Sequence, residues 1–217
     1  MKTKKYVFES PEIQFLCNYD NQLGDLISII GEVQMKSSDD CFRDLVFFVI
    51  GQQLSIKATD SIITRFKGLL NYEITPAKIL LFNDIDIRSI GVSNAKVTYI
   101  KGIAKASTDG NIDLTHIQEL SNEKIIEQLT TIKGIGKWTA EMFLIFSLSR
   151  IDVFSLGDAG LQRAIKWLFE IDGDISAKQM TSISDKWKPY RSLASLYLWE
   201  VINRGYINKD CKLVLNQ

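Results

Sequence analysis

Two stretches of this 217-residue sequence carry residue types that can do chemistry. The first runs Leu129-Thr-Thr-Ile-Lys-Gly-Ile-Gly-Lys-Trp-Thr-Ala-Glu-Met-Phe-Leu144. A helical period ends near Leu129, two glycines one residue apart follow, and a new apolar period begins near Lys137. Gly134 and Gly136 allow a tight turn with positive φ and put no side chain between their amides and an approaching ligand. Those amides and the first turn of the next helix would face outward at the positive end of a helix dipole, which makes an anion site. Lys137 and Thr139 add donors. A sequence-independent clamp on a DNA phosphate fits this set. Taken alone, Gly-x-Gly is more often an ordinary turn between two helices. It is no P-loop, because no Gly-Lys-Ser/Thr ending follows at the required spacing.

The second stretch is Asp158 followed by Ala159-Gly-Leu-Gln-Arg-Ala-Ile-Lys-Trp-Leu-Phe169, in which Leu161, Ile165 and Leu168 share one face. Asp158 is an N-cap candidate, and a cap fixes its carboxylate at the positive end of a helix. Ser55 is a second capping candidate, after the loop Gly51-Gln52-Gln53-Leu54. Trp138 and Met142 are four apart and share a helix face. Core packing accounts for such side chains without a ligand, and for Trp167 and Trp187 it is the preferred reading.

The elements that must position these groups read as helical nearly throughout. Apolar residues recur at spacings of three and four through Leu45, Phe48 and Val49, then Ile56, Ile62, Ile63, Phe66, Leu69 and Leu70. Further periods cover 75–82, 93–107, 121–129, 137–148, 159–169, 176–187 and 190–203, with Asn71, Pro76, Gly91, Gly110, Gly157, Gly173, Pro189 and Gly205 among the breakers. Only Lys5 to Phe8 reads as extended. The expectation is an all-α protein of two helical lobes with a cleft between them, sharing chain from both ends.

Composition removes several classes. The 26 Lys+Arg and 26 Asp+Glu give zero net charge, so attraction to nucleic acid must be local rather than long-range. Residues 1–132 carry 14 basic and 17 acidic side chains, a net −3. Residues 133–217 carry 12 and 9, a net +3, with Lys133, Lys137, Arg163, Lys166, Lys186, Lys188 and Arg191 among them. A solvated surface explains this asymmetry about as well as a binding face. One histidine, His116, cannot build a multi-histidine zinc site. Cys17, Cys41 and Cys211 are too far apart for a metal cluster or a disulfide framework. No apolar run approaches the ~20 residues needed to span a bilayer, and no apolar stretch follows the basic N-terminus as in a secretory signal. A cytoplasmic, nucleoid-associated protein is expected, or a nuclear one in a eukaryote.

The segment Ile132-Lys-Gly-Ile-Gly-Lys-Trp-Thr-Ala-Glu-Met142, with Asp152-Val-Phe-Ser-Leu-Gly-Asp158-Ala-Gly-Leu downstream, resembles the helix-hairpin-helix-GPD DNA glycosylases. The DNA-3-methyladenine glycosylase II subgroup is the nearest in pattern. Val49-Ile-Gly-Gln-Gln-Leu-Ser-Ile-Lys57, Ile87-Arg-Ser-Ile-Gly-Val-Ser-Asn-Ala-Lys-Val97 and Trp187-Lys-Pro-Tyr-Arg-Ser-Leu-Ala-Ser-Leu-Tyr-Leu-Trp199 match it too. The likeness covers residues 40–205, leaving 1–39 as an N-terminal segment packed on the C-terminal lobe and 206–217 as a tail.

The resemblance implies hydrolytic excision of alkylated purines, 3-methyladenine and 7-methylguanine, from double-stranded DNA; a monomer without membrane partners is expected. It makes Asp158 the catalytic carboxylate and Trp138, Met142 and Trp199 the base pocket. Gln53, with Leu54 second, becomes the minor-groove wedge, and Gly134, Gly136, Lys137, Thr139 and Ser55 the phosphate contacts. Met142 stands where some relatives carry tyrosine, and Ala159 and Gly160 where bulkier residues occur, so the pocket is expected to be wider and less aromatic. Relatives that also nick the backbone carry a lysine where Trp138 stands. Lys137 is one residue earlier, about 100° away around a helix, so no lyase activity is expected. No cofactor is implied, apart from an optional Na+ or K+ on the carbonyls of Thr130, Ile132 and Ile135. The alternatives are a glycosylase for deaminated or oxidised bases on the same fold, a non-enzymatic DNA-binding helical module, and a small-molecule enzyme.

Overall fold

A computed structural model describes residues 2–215. Contacts divide the chain into two compact units, one drawn from residues 38–148 and the other from 1–37 together with 149–217. Among the described residues no helix is long and apolar enough to cross a membrane.

The unit from 38–148 is built of helices Cys41–Gly51, Ile56–Leu69, Pro76–Leu81, Asp84–Ser89, Asn94–Thr108, Asn122–Thr130 and Lys137–Phe146. Six of these seven start on a side-chain cap, in chain order Asp40, Ser55, Thr75, Asn83, Ser93 and Ser121. Each such cap contributes about 1 kcal/mol to its helix. Only Lys137–Phe146 starts on a residue with no side chain to give, Gly136. The core is Leu45, Val49, Phe66, Ile79, Ile100, Leu129 and Phe143, apolar positions that the helical period brings to one face of each helix.

The other unit packs helices Pro11–Tyr19, Asn21–Ile30, Ala159–Leu168, Ala177–Ser184 and Arg191–Asn203 around Leu16, Leu26, Leu161, Ile165, Trp187, Tyr197 and Leu198. Asp20 is its buried polar pin. One carboxylate oxygen accepts from Leu23 N at 3.1 Å and the other from Trp187 Nε1 at 3.0 Å, so the buried indole is satisfied. Trp187 is therefore a core residue, as its sequence context indicates.

The chain is not purely helical. Lys2–Tyr6 and Val33–Ser37 pair as an antiparallel two-stranded sheet, from Lys2 opposite Ser37 to Tyr6 opposite Val33. The extended reading of Lys5 to Phe8 falls partly outside the first strand, and the second strand was not anticipated. Its five residues alternate, with Val33 and Met35 buried and Gln34 and Lys36 exposed, but five are too few to stand out beside the flanking helical periods.

Candidate functional site

The glycine hairpin lies within the 38–148 unit. Gly134 has φ +91°, a conformation costly for any L side chain. A Cβ there would overlap the ring atoms of Tyr99, a side chain carried by the Asn94–Thr108 helix. Gly136 differs from expectation. Its φ is −89°, open to any residue, and a Cβ there would meet nothing within 4 Å. Glycine at 136 is thus not demanded by the turn. Its effect is to leave the first-turn amides of Lys137–Phe146 without a side chain over them.

Lys137 is mostly exposed, with Nζ 3.8 Å from Glu141 Oε1. Thr139 departs from its expected role as a side-chain donor to an anion. It is 3% exposed, and its hydroxyl accepts from Gln52 Nε2 at 3.1 Å. What Thr139 can still offer outward is its backbone amide, in the first turn of the helix. Gln52 also donates to the carbonyl of Gly134 at 3.0 Å. Gln52 is not legible as a functional residue in the sequence, because nothing local marks which of the two adjacent glutamines turns inward.

Gln53 is exposed and has φ +57°, a strained conformation for a residue with a Cβ. Leu54 follows, 39% exposed, and Ser55 caps the next helix through Ala58 N at 3.3 Å. Leu54 and Trp138, the latter 44% exposed, border a groove of about 450 Å³ whose walls include Phe47, Phe48, Ile56 and Ile63. Met142 does not share this exposure. It is 4% exposed despite standing four residues after Trp138, because nearly the whole circumference of its helix is buried from Thr139 to Ile145.

Of the carbonyls expected to hold a monovalent cation, that of Thr130 belongs to the last residue of the Asn122–Thr130 helix, and those of Ile132 and Ile135 to the hairpin that follows. Ile132 O already accepts from Ile135 N at 3.0 Å, which leaves it a second lone pair.

Asp158 lies in the other unit, 7% exposed, as the N-cap of Ala159–Leu168. Its Oδ1 accepts from Leu161 N at 2.8 Å and from Trp199 Nε1 at 3.2 Å. The two donors come from different helices and hold the carboxylate in one orientation. Trp199 is therefore more than an aromatic face, since its indole N–H is spent on Asp158. Gly160 makes the arrangement fit: a Cβ there would stand 3.0 Å from Asp158 Oδ1 and 3.5 Å from Trp199 Cδ1. The structure thus gathers Asp158, Gly160 and Trp199 in one unit, and the hairpin, Gln53, Leu54 and Trp138 in the other. Of the basic residues after 133, Arg191 is paired with Asp152 at 2.6 Å and Lys188 with Asp185 at 2.9 Å, so part of that excess is neutralised locally.

The family model for HhH-GPD superfamily base excision DNA repair proteins matches residues 46–189. The chain is 34% identical over 191 residues to DNA-3-methyladenine glycosylase 1 of Schizosaccharomyces pombe, covering 85% of this chain and 84% of that protein. The crystal structure of a DNA-3-methyladenine glycosidase from Bacillus halodurans aligns with a TM-score of 0.87 and 36% identity over 99% of this chain and 100% of that one. A 3-methyladenine DNA glycosylase of Schizosaccharomyces pombe, solved in complex with abasic DNA, aligns with a TM-score of 0.82 and 32% identity over 89% and 97%.

Proposed function

This chain belongs to the HhH-GPD superfamily of base excision DNA repair proteins, and we propose that it is a monofunctional glycosylase hydrolysing the N-glycosidic bond of alkylated purines in double-stranded DNA. 3-Methyladenine and 7-methylguanine are the substrates of this reading, and an abasic site is the product. The observation that carries it is the Asp158 carboxylate, oriented by Leu161 N and Trp199 Nε1 in a chain similar to proteins named for that activity.

The chemistry follows from charge. As the bond from sugar to base breaks, positive charge develops on the sugar, much as in glycoside hydrolysis. A fixed anion beside that charge stabilises the transition state. The same carboxylate orients the water that adds to the sugar carbon and takes up its proton. The bonding electrons leave with the base. An alkylated purine is already cationic and departs neutral, so no second acidic group is needed. Before any of this the nucleotide must leave the helix stack, at a cost of a few kcal/mol. Gln53, exposed at a position of left-handed backbone, is the wedge that fills the gap, with Leu54 second. Trp138 and Trp199 are the aromatic faces for a cationic base, each worth about 0.5–2 kcal/mol. Met142 is given no base contact in this reading.

The amides that Gly136 leaves open, with Lys137, take a phosphate, and Ser55 a second one. A monovalent cation on Thr130, Ile132 and Ile135 would add positive charge beside those amides. The protein acts as a monomer on chromosomal DNA, at the nucleoid or in the nucleus.

Incubation with alkylated duplex is expected to release free 3-methyladenine and 7-methylguanine, and borohydride is expected to trap no covalent adduct, since Trp138 offers no amine. Release of deaminated or oxidised bases alone would move the substrate class. Binding without release would leave a DNA-binding module, and a trapped adduct would refute the monofunctional assignment. Gln53→Ala is expected to slow excision from a fully paired duplex about tenfold, and much less where the lesion sits in a mismatch that is already unstacked. Equal slowing on both substrates removes Gln53 from the wedge role.

A further inference from the structure

Lys96 is oddly placed for its own helix. It is the third residue of Asn94–Thr108, in the first turn, where the helix dipole disfavours a cation. It is also half-buried, and burial draws its pKa below the ordinary lysine range. Local propensity does not account for a lysine here, but its tertiary bonds do. Nζ donates to the carbonyl of Ile50 at 2.8 Å and to that of Gln52 at 2.7 Å, the last turn of Cys41–Gly51 and the residue directly before Gln53. From the same residue the Gln52 side chain reaches Gly134 O and Thr139 Oγ1. Three residues after Lys96, and so on the same side of its helix, Tyr99 lies against Gly134.

We propose that Lys96, acting through Gln52, is a positioning residue that holds the Gln53 loop in register with the glycine hairpin. The two elements would then meet the minor groove and the phosphate backbone at one fixed spacing. Lys96 bonds to the end of the helix that carries the loop, Gln52 bonds onward to the hairpin, and Tyr99 backs the hairpin from the same helix as Lys96. A loop bearing strain at Gln53 is a place where such external bracing is required to keep one conformation. Bonds donated by an ammonium to two carbonyls are the strong, charge-assisted kind. This inference rests on the wedge role of Gln53 stated above.

The test uses the whole protein and the paired and mismatched lesion duplexes. Lys96→Met keeps the length of the side chain and removes its donors. It is expected to slow excision from paired duplex about tenfold while leaving the mismatched lesion much less affected, as Gln53→Ala does. Combined with Gln53→Ala it is expected to add little further loss, because both act on one element. Lys96→Arg, which can still reach both carbonyls, restores the paired-duplex rate. Gln52→Ala is the second variant, with the same selective loss, should Lys96→Met fold poorly. A merely structural lysine would slow both substrates alike and add its full effect to that of Gln53→Ala. Either of those results overturns the proposal while the wedge stands. Absence of any selective effect in Gln53→Ala itself overturns the wedge and this inference together.

Discussion

Asp158→Asn lowers the single-turnover rate of base release from alkylated duplex by about a hundredfold to a thousandfold. Affinity for duplex containing an abasic site stays within about threefold, and the melting temperature is nearly unchanged. The expectation rests on how little else the substitution alters. Asparagine keeps a side-chain oxygen that can accept from Leu161 N and Trp199 Nε1, the two bonds that orient the aspartate. It is also as good an N-cap as aspartate, so the Ala159–Leu168 helix keeps its start. What disappears is one negative charge. A loss of about 3–4 kcal/mol in transition-state stabilisation corresponds to that range of rates. Rates are read from free 7-methylguanine, and affinity from anisotropy at a fixed salt concentration, because phosphate contacts weaken steeply with salt. A variant that releases base within fivefold of the parent takes Asp158 out of the chemistry.

Gly134→Ala is expected to destabilise the protein by about 3 kcal/mol, of which about 1–2 kcal/mol is the left-handed backbone and the rest the overlap with the Tyr99 ring. For a chain of this size that is a fall in melting temperature of roughly 6–12 °C. DNA affinity falls with it, because moving the hairpin off Tyr99 turns the open amides away from the phosphate. The two costs separate in a Tyr99→Ala background. There the overlap is gone and Gly134→Ala costs only about 1–2 kcal/mol, the backbone part. Gly136→Ala is the control, with φ −89° and nothing within 4 Å of its Cβ, and leaves stability nearly unchanged. If Gly134→Ala melts with the parent protein, neither the φ of +91° nor the contact with Tyr99 constrains the hairpin.

The residues that sequence reading singled out divide by the range of the forces that place them. Ser55 and Asp158 are caps, as their position ahead of an apolar period indicated. Their signal is local, since a cap bonds an amide three residues on. Gly134 was legible as a turn glycine for the same reason. Gly136 was legible only by association, and its φ shows that a glycine two residues on need not share the conformation. Thr139 was expected at a working surface as a donor beside the glycine turn, and Met142 from its helical spacing to Trp138. Spacing tells which side chains share a face, and packing tells whether that face is covered.

The helical periods after residue 41, the starts at Ser55, Lys137 and Asp158 and the glycine turn were legible in the sequence, whereas the helices Pro11–Tyr19 and Asn21–Ile30 were not. Backbone sterics, capping and the apolar period act over one to four residues and leave their mark in the order of residue types. Which groups brace these elements follows from long-range packing. Gln52 bonds a hairpin 82 residues away, Lys96 bonds a carbonyl 44 residues back, and Trp199 bonds a carboxylate 41 residues back. No period in the chain encodes those partners, because they meet only where separately folded helices pack, and one glutamine or lysine looks like another until that packing assigns it a carbonyl.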